Sequence, residues 1–427
     1  MFGYSLIQLV RRNGHKLDRS VRQELLKVYQ PFRTVPCFLH RPLEFFSKKG
    51  KKLPLVIEFN EGCFELGVND VKKESSRTLH QHPTVSCCST TLSVEKLEHL
   101  LDNCSHIKKV YYDRKVTALL DTATPAIRAD QLQENGLTGK DVTIAIIDTG
   151  IYPHQDLQGR IKGFKDFIND RTDPYDDNGH GTHCAGDAAG NGTASGGLYR
   201  GPAYEATLVG VKVLDKKGSG SLSTVISGVD WCIQNQESLG IQVLSLSLGS
   251  DAVQSAKDDP VVMAVERAWD RGMVVCVAAG NSGPRESSIA SPGISPKVIT
   301  VGAANDNDST TRSDDTVADF SSRGPTIDGL IKPDLVTPGV NIISLRAPNS
   351  FLDKINSAAR VDTNYFSLSG TSMATPICAG VVAQMLQNNP NQTPDQIKQQ
   401  LIRACQDLGQ PANDQGNGYL DAGRLYT

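Results

Sequence analysis

The chain has 427 residues, 39% hydrophobic and 21% charged, with a formal net charge of −3. This length predicts one large domain with a smaller companion. The near-neutral total gives no reason to expect nucleic acid as a partner, and no apolar run approaches the length needed to span a bilayer. The charge is uneven, however. Residues 1–52 hold 12 lysines and arginines against 3 acidic residues, a surplus of nine that leaves −12 on the remainder. A basic arm of this kind could touch anionic surfaces. A solvated face, or contact with the acidic remainder, is the simpler expectation.

Met1 to Arg11 is apolar but short, and its basic pair follows the apolar stretch instead of preceding it, which is not the order of a secretory signal. Ten cysteines occur, several inside apolar stretches such as Val275-Cys276-Val277 and Ile377-Cys378-Ala379. They read as reduced core thiols in a cytoplasm. No CxxC pair exists, which argues against a structural zinc site.

In chain order, residues 1–52 form a basic extension with one helical stretch from Val21 to Tyr29. A small α+β unit is expected over 53–118. Its strands are Leu55–Phe59, Thr84–Thr90 and His106–Tyr112, and its helix runs from Ser93 to Leu101 with Ser93 as the cap. Asp121 to Lys140 reads as a linker. From Val142 the pattern changes to β-branched runs typical of strands buried on both faces: Val142–Ile147, Leu208–Val213, Ile241–Leu248, Met273–Ala278 and Val298–Val301. Helical segments separate several of them (Leu222–Gln234, Pro260–Arg271), and Thr393–Cys405 forms a closing helix. Alternating strands and helices predict a three-layer α/β domain with a mostly parallel sheet over 119–427. Reactive groups in such sheets collect beyond the strands' carboxyl ends.

Four groups of residues carry chemistry. Asp148 ends a buried strand, where an unpaired carboxylate is costly and a hydrogen-bonded partner is required. His180 stands between Gly179 and Gly181, and His183 follows one helical turn later. Asn281 falls at a strand end between Gly280 and Ser282. Ser372 opens an apolar helix after Gly370-Thr371, where its own N–H is unpaired and near the positive end of the helix dipole. Alone, each has a plainer reading: turn aspartate, structural histidine, turn asparagine, helix cap. A metallohydrolase built on His180, His183 and Asp177 is the rival chemistry, although the HxxH pair lacks the glutamate of the zinc hydrolase motif.

Taken together, Ile147-Asp148-Thr149-Gly150, His180-Gly181-Thr182-His183, Ala279-Gly280-Asn281 and Gly370-Thr371-Ser372-Met373-Ala374 resemble the subtilisin-like serine proteases. The Asp, His, Ser order is that family's. The resemblance covers about 118–425, and the whole chain looks most like the AprX-type intracellular subtilases of bacilli. It implies a serine endopeptidase acting on protein or peptide substrates through Asp148, His180 and Ser372, with Asn281 in the oxyanion hole and no cofactor. Gly218-Ser219-Gly220 and Ser247-Leu248-Gly249 look like the two edges that pair with an extended substrate. Ala278, Ala279 and Gly280 would line one wall of a pocket for a bulky apolar side chain, with 290–293 at its far end. Residues 53–118 look like a propeptide, an intramolecular inhibitor and folding chaperone, with self-cleavage expected within Lys115 to Thr124. Many subtilases bind calcium in the loop after the histidine helix. Here 190–197 has no carboxylate, so that site is not carried over, and a structural calcium elsewhere is left open.

Overall fold

The computed structural model describes residues 5–29, 47–75, 79–82, 86–112 and 120–426, which divide into two compact units, Met1–Val116 and Thr117–Thr427. In the smaller unit, α1 (Ser5–Arg12) and α2 (Arg19–Tyr29) precede β1 (Lys52–Phe59), α3 (Phe64–Glu74), β2 (His80–His82), β3 (Cys87–Ser93), α4 (Val94–Asn103) and β4 (Ile107–Tyr112). The strands form an antiparallel sheet in the order β2-β3-β1-β4. β1 buries every second side chain, the period-2 signature of a sheet covered on one face. Ser93 caps α4 as expected, accepting the Lys96 N–H at 3.3 Å. The helix α3 and the short strand β2 were not foreseen, and Thr84 and Val85 lie outside the described residues.

The basic extension does not stand apart from this unit. Leu9, Leu17, Val21 and Leu25 share one core with Leu53, Leu55, Ile57 and Leu97, so a boundary at residue 52 divides a single hydrophobic cluster. Several of its cations are paired within the unit: Arg12 with Asp102 at 2.7 Å, Lys48 with Glu98 at 2.5 Å and Lys51 with Glu24 at 3.5 Å.

The larger unit is built on a sheet of β5 (Thr143–Asp148), β6 (Ile161–Asp166), β7 (Thr207–Lys212), β8 (Ile241–Leu246), β9 (Val274–Ala278), β10 (Ile299–Asn305), β11 (Thr316–Val317) and β12 (Leu335–Pro338). The order is β11-β10-β9-β8-β5-β7-β6, with β12 also on β10, and every pairing except β10–β11 is parallel. β5 and β9 are buried at every position, as β-branched runs under helices on both faces must be. The unit's helices include α5 (His180–Ala189), α6 (Leu222–Gln234), α7 (Pro260–Asp270), α8 (Phe351–Ile355), α9 (Thr371–Asn388) and α10 (Pro394–Ala404), with β13 (Ile342–Leu345) and β14 (Tyr365–Leu368) forming a separate hairpin. α9 is apolar all round and packs on β8, β9, β10, β12 and α5, which makes it the central helix.

One expectation fails in this unit. The stretch read as a linker holds two short helices, Leu120–Ala126 and Ala129–Glu134, whose Ala123, Ile127, Ala129 and Leu132 enter the large core. The Gln384 amide of α9 donates to Ala129 O and Leu137 O, fastening the stretch to the central helix. Thr124-Pro125 suggested a loop, but tertiary burial overrides it there; the Gly-Leu-Thr-Gly string at 136–139 does form a loop after the second helix.

Two buried lysines tie β12 and α10 to β10. Lys332 donates to Val298 O, Thr300 Oγ1 and Asp334 Oδ2 at 3.1, 2.9 and 2.7 Å. Lys398 donates to Lys297 O and Val298 O and lies 3.0 Å from Asp334 Oδ1. Burial pulls the Lys332 ammonium down to about 8, against the attraction of Asp334 and with help from the Lys398 charge. Its folded pKa is therefore below its ordinary 10.5, so between pH 8 and 10.5 the unfolded chain binds the extra proton and this group adds stability as pH rises. Denaturant unfolding should show the wild-type minus Lys332→Met stability difference climbing by up to about 1.4 kcal/mol per pH unit across that window. A flat difference would show that Lys332 does not titrate there.

Candidate active site

The site begins at the end of β5. Asp148 is fully buried, and its Oδ1 accepts the Thr149 N–H at 2.7 Å and lies 2.8 Å from His180 Nδ1. His180 is the first residue of α5, and its side chain is 22% exposed, toward the cleft. Burial is the largest single influence and disfavours the imidazolium, but the charge and hydrogen bond of Asp148, together with Cys184, outweigh it and hold the histidine well above its ordinary 6.5.

The approach of α5 to β5 requires glycine. A Cβ on Gly181 would lie 2.2 Å from Gly150 O and 3.1 Å from Asp148 Cβ. Asp176 fixes this corner. Its Oδ1 accepts Thr149 Oγ1, Asn178 N and Gly179 N, and its Oδ2 accepts Thr182 N and Thr182 Oγ1. Four of these five donors lie within six residues of Asp176, and only Thr149, just after β5, comes from a distant stretch.

Ser372 is the second residue of α9, so its N–H has no partner inside the helix. Its hydroxyl donates to Ser247 O at 3.2 Å, and the Ser247 hydroxyl donates back to Ser372 O at 2.8 Å. Asn281 follows β9 by three residues. Its Oδ1 accepts both the N–H and the hydroxyl of Thr371, at 2.9 and 3.0 Å. A backbone N–H can only donate, so this bond settles which atom of the amide is oxygen and turns Nδ2 toward Gly370 and the cleft.

An open cleft of about 610 Å³ joins these groups. His180, Asn281 and Ser372 line it together with Gly218, Ser219, Gly220, Ser247, Leu248, Gly249, Ala278 and Gly280. Ala279 does not belong there. It is fully buried in a satellite core with Ala256, Val262, Ile289 and Ile294, because alternate residues at a strand end face opposite ways. Ala290, Ser291 and Pro292 line the cleft as well, whereas Gly293 is not part of its lining. Sequence reasoning missed Leu222, Val225, Val261 and Leu352, which also line the cleft and come from elements with no motif.

The metallohydrolase residues do not converge. His183 is buried with Nδ1 3.0 Å from Asp187 Oδ2 and Nε2 3.1 and 3.0 Å from the carbonyls of Ile342 and Phe366. Asp177 instead receives the buried Lys212 ammonium at 2.7 Å.

With this geometry in place, the sequence pattern of the subtilase family matches residues 139–419. The chain is a subtilase. It is 55% identical over 413 residues to serine protease AprX of Bacillus subtilis (strain 168), covering 94% of this chain and 93% of that protein. It is 33% identical to a thermostable alkaline protease of Halalkalibacterium halodurans, over 81% of this chain and 84% of the relative. A solved structure of a cold-adapted subtilisin-like serine proteinase superimposes with a TM-score of 0.51 at 33% identity, covering 66% of this chain and 88% of its own. The subtilase is accordingly a serine endopeptidase with an α/β fold, acts on protein substrates and needs no cofactor for its chemistry.

Structural calcium is common in the family, and the loop after α5 does not fit it. Calcium takes six to eight oxygens. Asp156 reaches this loop from elsewhere in the chain, but its Oδ1 accepts the Ala194 N–H at 2.8 Å and its Oδ2 accepts the Tyr365 hydroxyl at 2.6 Å. Asn191 Oδ1 accepts Thr193 N and Thr193 Oγ1. These oxygens are turned to protein donors, with Tyr365 filling the space beneath the loop.

Cys184 lies one turn after His180, fully buried, with Sγ 3.8 Å from His180 Nδ1 and 3.4 Å from Ser372 O. Burial raises its thiol to about 11, so it is no nucleophile. Its ligating atom and those of Asp148 and His180 all lie within 4.8 Å of one another. A mercurial bound there has no room without moving His180, so labelling should abolish activity, and Cys184→Ala should be resistant. Full activity after labelling verified by mass spectrometry would refute this.

Proposed function

We propose that Ser372 is the nucleophile, His180 the general base, Asp148 its orienting partner and Asn281 the oxyanion donor. The observation that supports this reading is the meeting of the His180–Asp148 pair, the Ser372 hydroxyl and the Asn281 amide on one cleft. His180 donates its Nδ1 proton to Asp148, which leaves Nε2 as the base. A substrate backbone N–H pairing with Ser247 O displaces the Ser372 hydroxyl from that carbonyl and frees it to turn to His180. His180 takes the hydroxyl proton as Oγ bonds to the scissile carbonyl carbon. Asn281 Nδ2 and the Ser372 N–H hold the resulting oxyanion. His180 then returns the proton to the departing amine, and water repeats the sequence on the acyl-enzyme.

Gly218–Gly220 and Ser247–Gly249 act as the edges that an extended substrate joins by strand addition. The small walls Ala278, Gly280 and Ala290 leave space for a bulky apolar side chain before the scissile bond. Asp251 and Lys217 also line the cleft, away from those small walls in the chain.

The smaller unit acts as an intramolecular propeptide, and the enzyme matures by cutting the connection between the units. Ala123 and Thr124 are buried in the large core, which moves the proposed cut to their N-terminal side. Residues 115–119 of the expected window lie outside the described residues. Action in a reducing cytoplasm is supported by the free thiols Cys184, Cys232, Cys276, Cys378 and Cys405 of the larger unit.

Ser372→Ala should remain a full-length chain by mass spectrometry while the wild type is cut before residue 123; normal processing of the purified variant would refute self-cleavage. Asn281→Leu should lower kcat by about 10²–10³ with KM little changed; a change in KM alone would make Asn281 a binding residue. The raised His180 pKa means the base is lost as pH falls through a value above 6.5. The acid limb of kcat/KM should lie above that value. An acid limb below it would show that Asp148 does not control the titration.

A further inference from the structure

The connection from β13 to β14, residues 346–364, links the two halves of the site. Its far end is β14, which leads through Ser369 and Gly370 to Ser372. Its tip, α8, is bonded to the loop that enters His180. The N–H of Phe351 donates to Asp177 O at 2.8 Å, and the N–H of Leu352 donates to Asn178 O at 2.9 Å. Contact is so close that a Cβ on Gly179 would lie 2.7 Å from Ser350 Oγ.

The arm is held rigid by one carboxylate. Asp353 is 2% exposed; its Oδ1 accepts Arg346 Nε and Arg360 Nε at 2.6 Å each, and its Oδ2 accepts Arg346 Nη2 and the Asn349 N–H at 3.0 and 2.9 Å. The Arg346 guanidinium hydrogen bonds come first among the causes that hold this carboxyl down to about 2, so the clamp stays charged throughout the working range. Ser350 caps α8 by accepting the Asp353 N–H.

Leu352 is thereby presented to the cleft. Its side is set by Asn178, whose side-chain amide donates to Lys216 O, beside the 218–220 edge, while its carbonyl faces Leu352. Asn178 thus stands between Leu352 and that edge, bonded to both stretches. The edge takes the acyl half of the substrate under the function proposed above, and His180 must reach the departing amine. A leaving half that passes His180 on the side of Asn178 away from that edge meets Leu352.

We propose that Leu352 forms an apolar subsite for the residue immediately after the scissile bond, and that the Asp353-clamped arm is its rigid support. Resting on the proposed triad and edges, this assigns the enzyme a preference on the leaving side that no catalytic motif encodes. An aliphatic side chain at that position loses water against Leu352, whereas a small polar one gains nothing.

The test uses three substrates with the same acyl half: internally quenched peptides with leucine or serine after the scissile bond, and a methyl ester whose leaving group is too small to fill that position. Wild type should favour the leucine peptide over the serine peptide by about tenfold in kcat/KM, the scale of discrimination an apolar contact supplies. Leu352→Ala should erase that ratio while ester hydrolysis stays within about twofold, and Leu352→Met should restore it. An unchanged ratio, an equal fall on all three substrates, or a change that follows the residue on the acyl side overturns the proposal. Loss of ester hydrolysis in Ser372→Ala reports separately on the triad, so the two readings fail independently.

Discussion

A carboxylate fully buried at the end of a strand is the constraint on which the rest of the site depends. Asp148 ends β5 where helices cover both faces of the sheet, and an ion in such a place must be paired and hydrogen-bonded to be tolerated. Thr149 N–H and His180 answer that demand. His180 must then be brought to one point, and the surrounding chain does this through Gly181, which allows α5 to touch β5, and Asp176, which gathers five donors at the helix start. A group that burial alone would destabilise becomes the reason that a helix begins where it does.

A second device delivers the serine. α9 is buried on all sides, so its axis is set by β8, β9, β10 and β12 and cannot shift without opening the core. Its first turn is locked to neighbouring strand ends. Thr371 holds the Asn281 carbonyl oxygen, Thr371 Oγ1 accepts the Gly280 N–H, and the two serines 247 and 372 exchange hydrogen bonds. The amide that faces the cleft is therefore fixed in orientation by its own partners, as the proposed oxyanion role requires. Tyr365 and Asp353 do comparable work farther out, one beneath the loop after α5 and the other in the arm against His180.

Much of this was readable in advance because the governing interactions are local. β-branched runs marked five strands of the large sheet, Ser93 marked the start of α4, and glycines beside His180 and Ser372 marked close backbone approaches. Other features were not readable. The stretch from Asp121 to Lys140 is a loop only over 135–140; its earlier part folds as short helices, since Ala123, Ile127 and Leu132 find partners in a core assembled from distant segments. The basic extension looked separate by composition, yet Leu9, Leu17, Val21 and Leu25 complete the core of the smaller unit. Ala279 sat in a stretch of small residues, and only the pleat of the strand end decided that it faces inward while Ala278 and Gly280 face the cleft.

The sequence by itself determined the layered α/β architecture and the family of serine proteases to which the chain belongs, because periodicity and four short strings survive without knowledge of what packs on what. Only the tertiary structure decided the partnerships between residues far apart in the chain. Asp156 meets Tyr365, Lys398 meets Asp334, Asn281 meets Thr371, and Leu352 meets the loop entering His180. Each of these is a polar or apolar group whose partner lies tens to hundreds of residues away. Nothing in its immediate neighbours records that distance, since what selects the partner is the need to satisfy a buried group within a particular packed geometry.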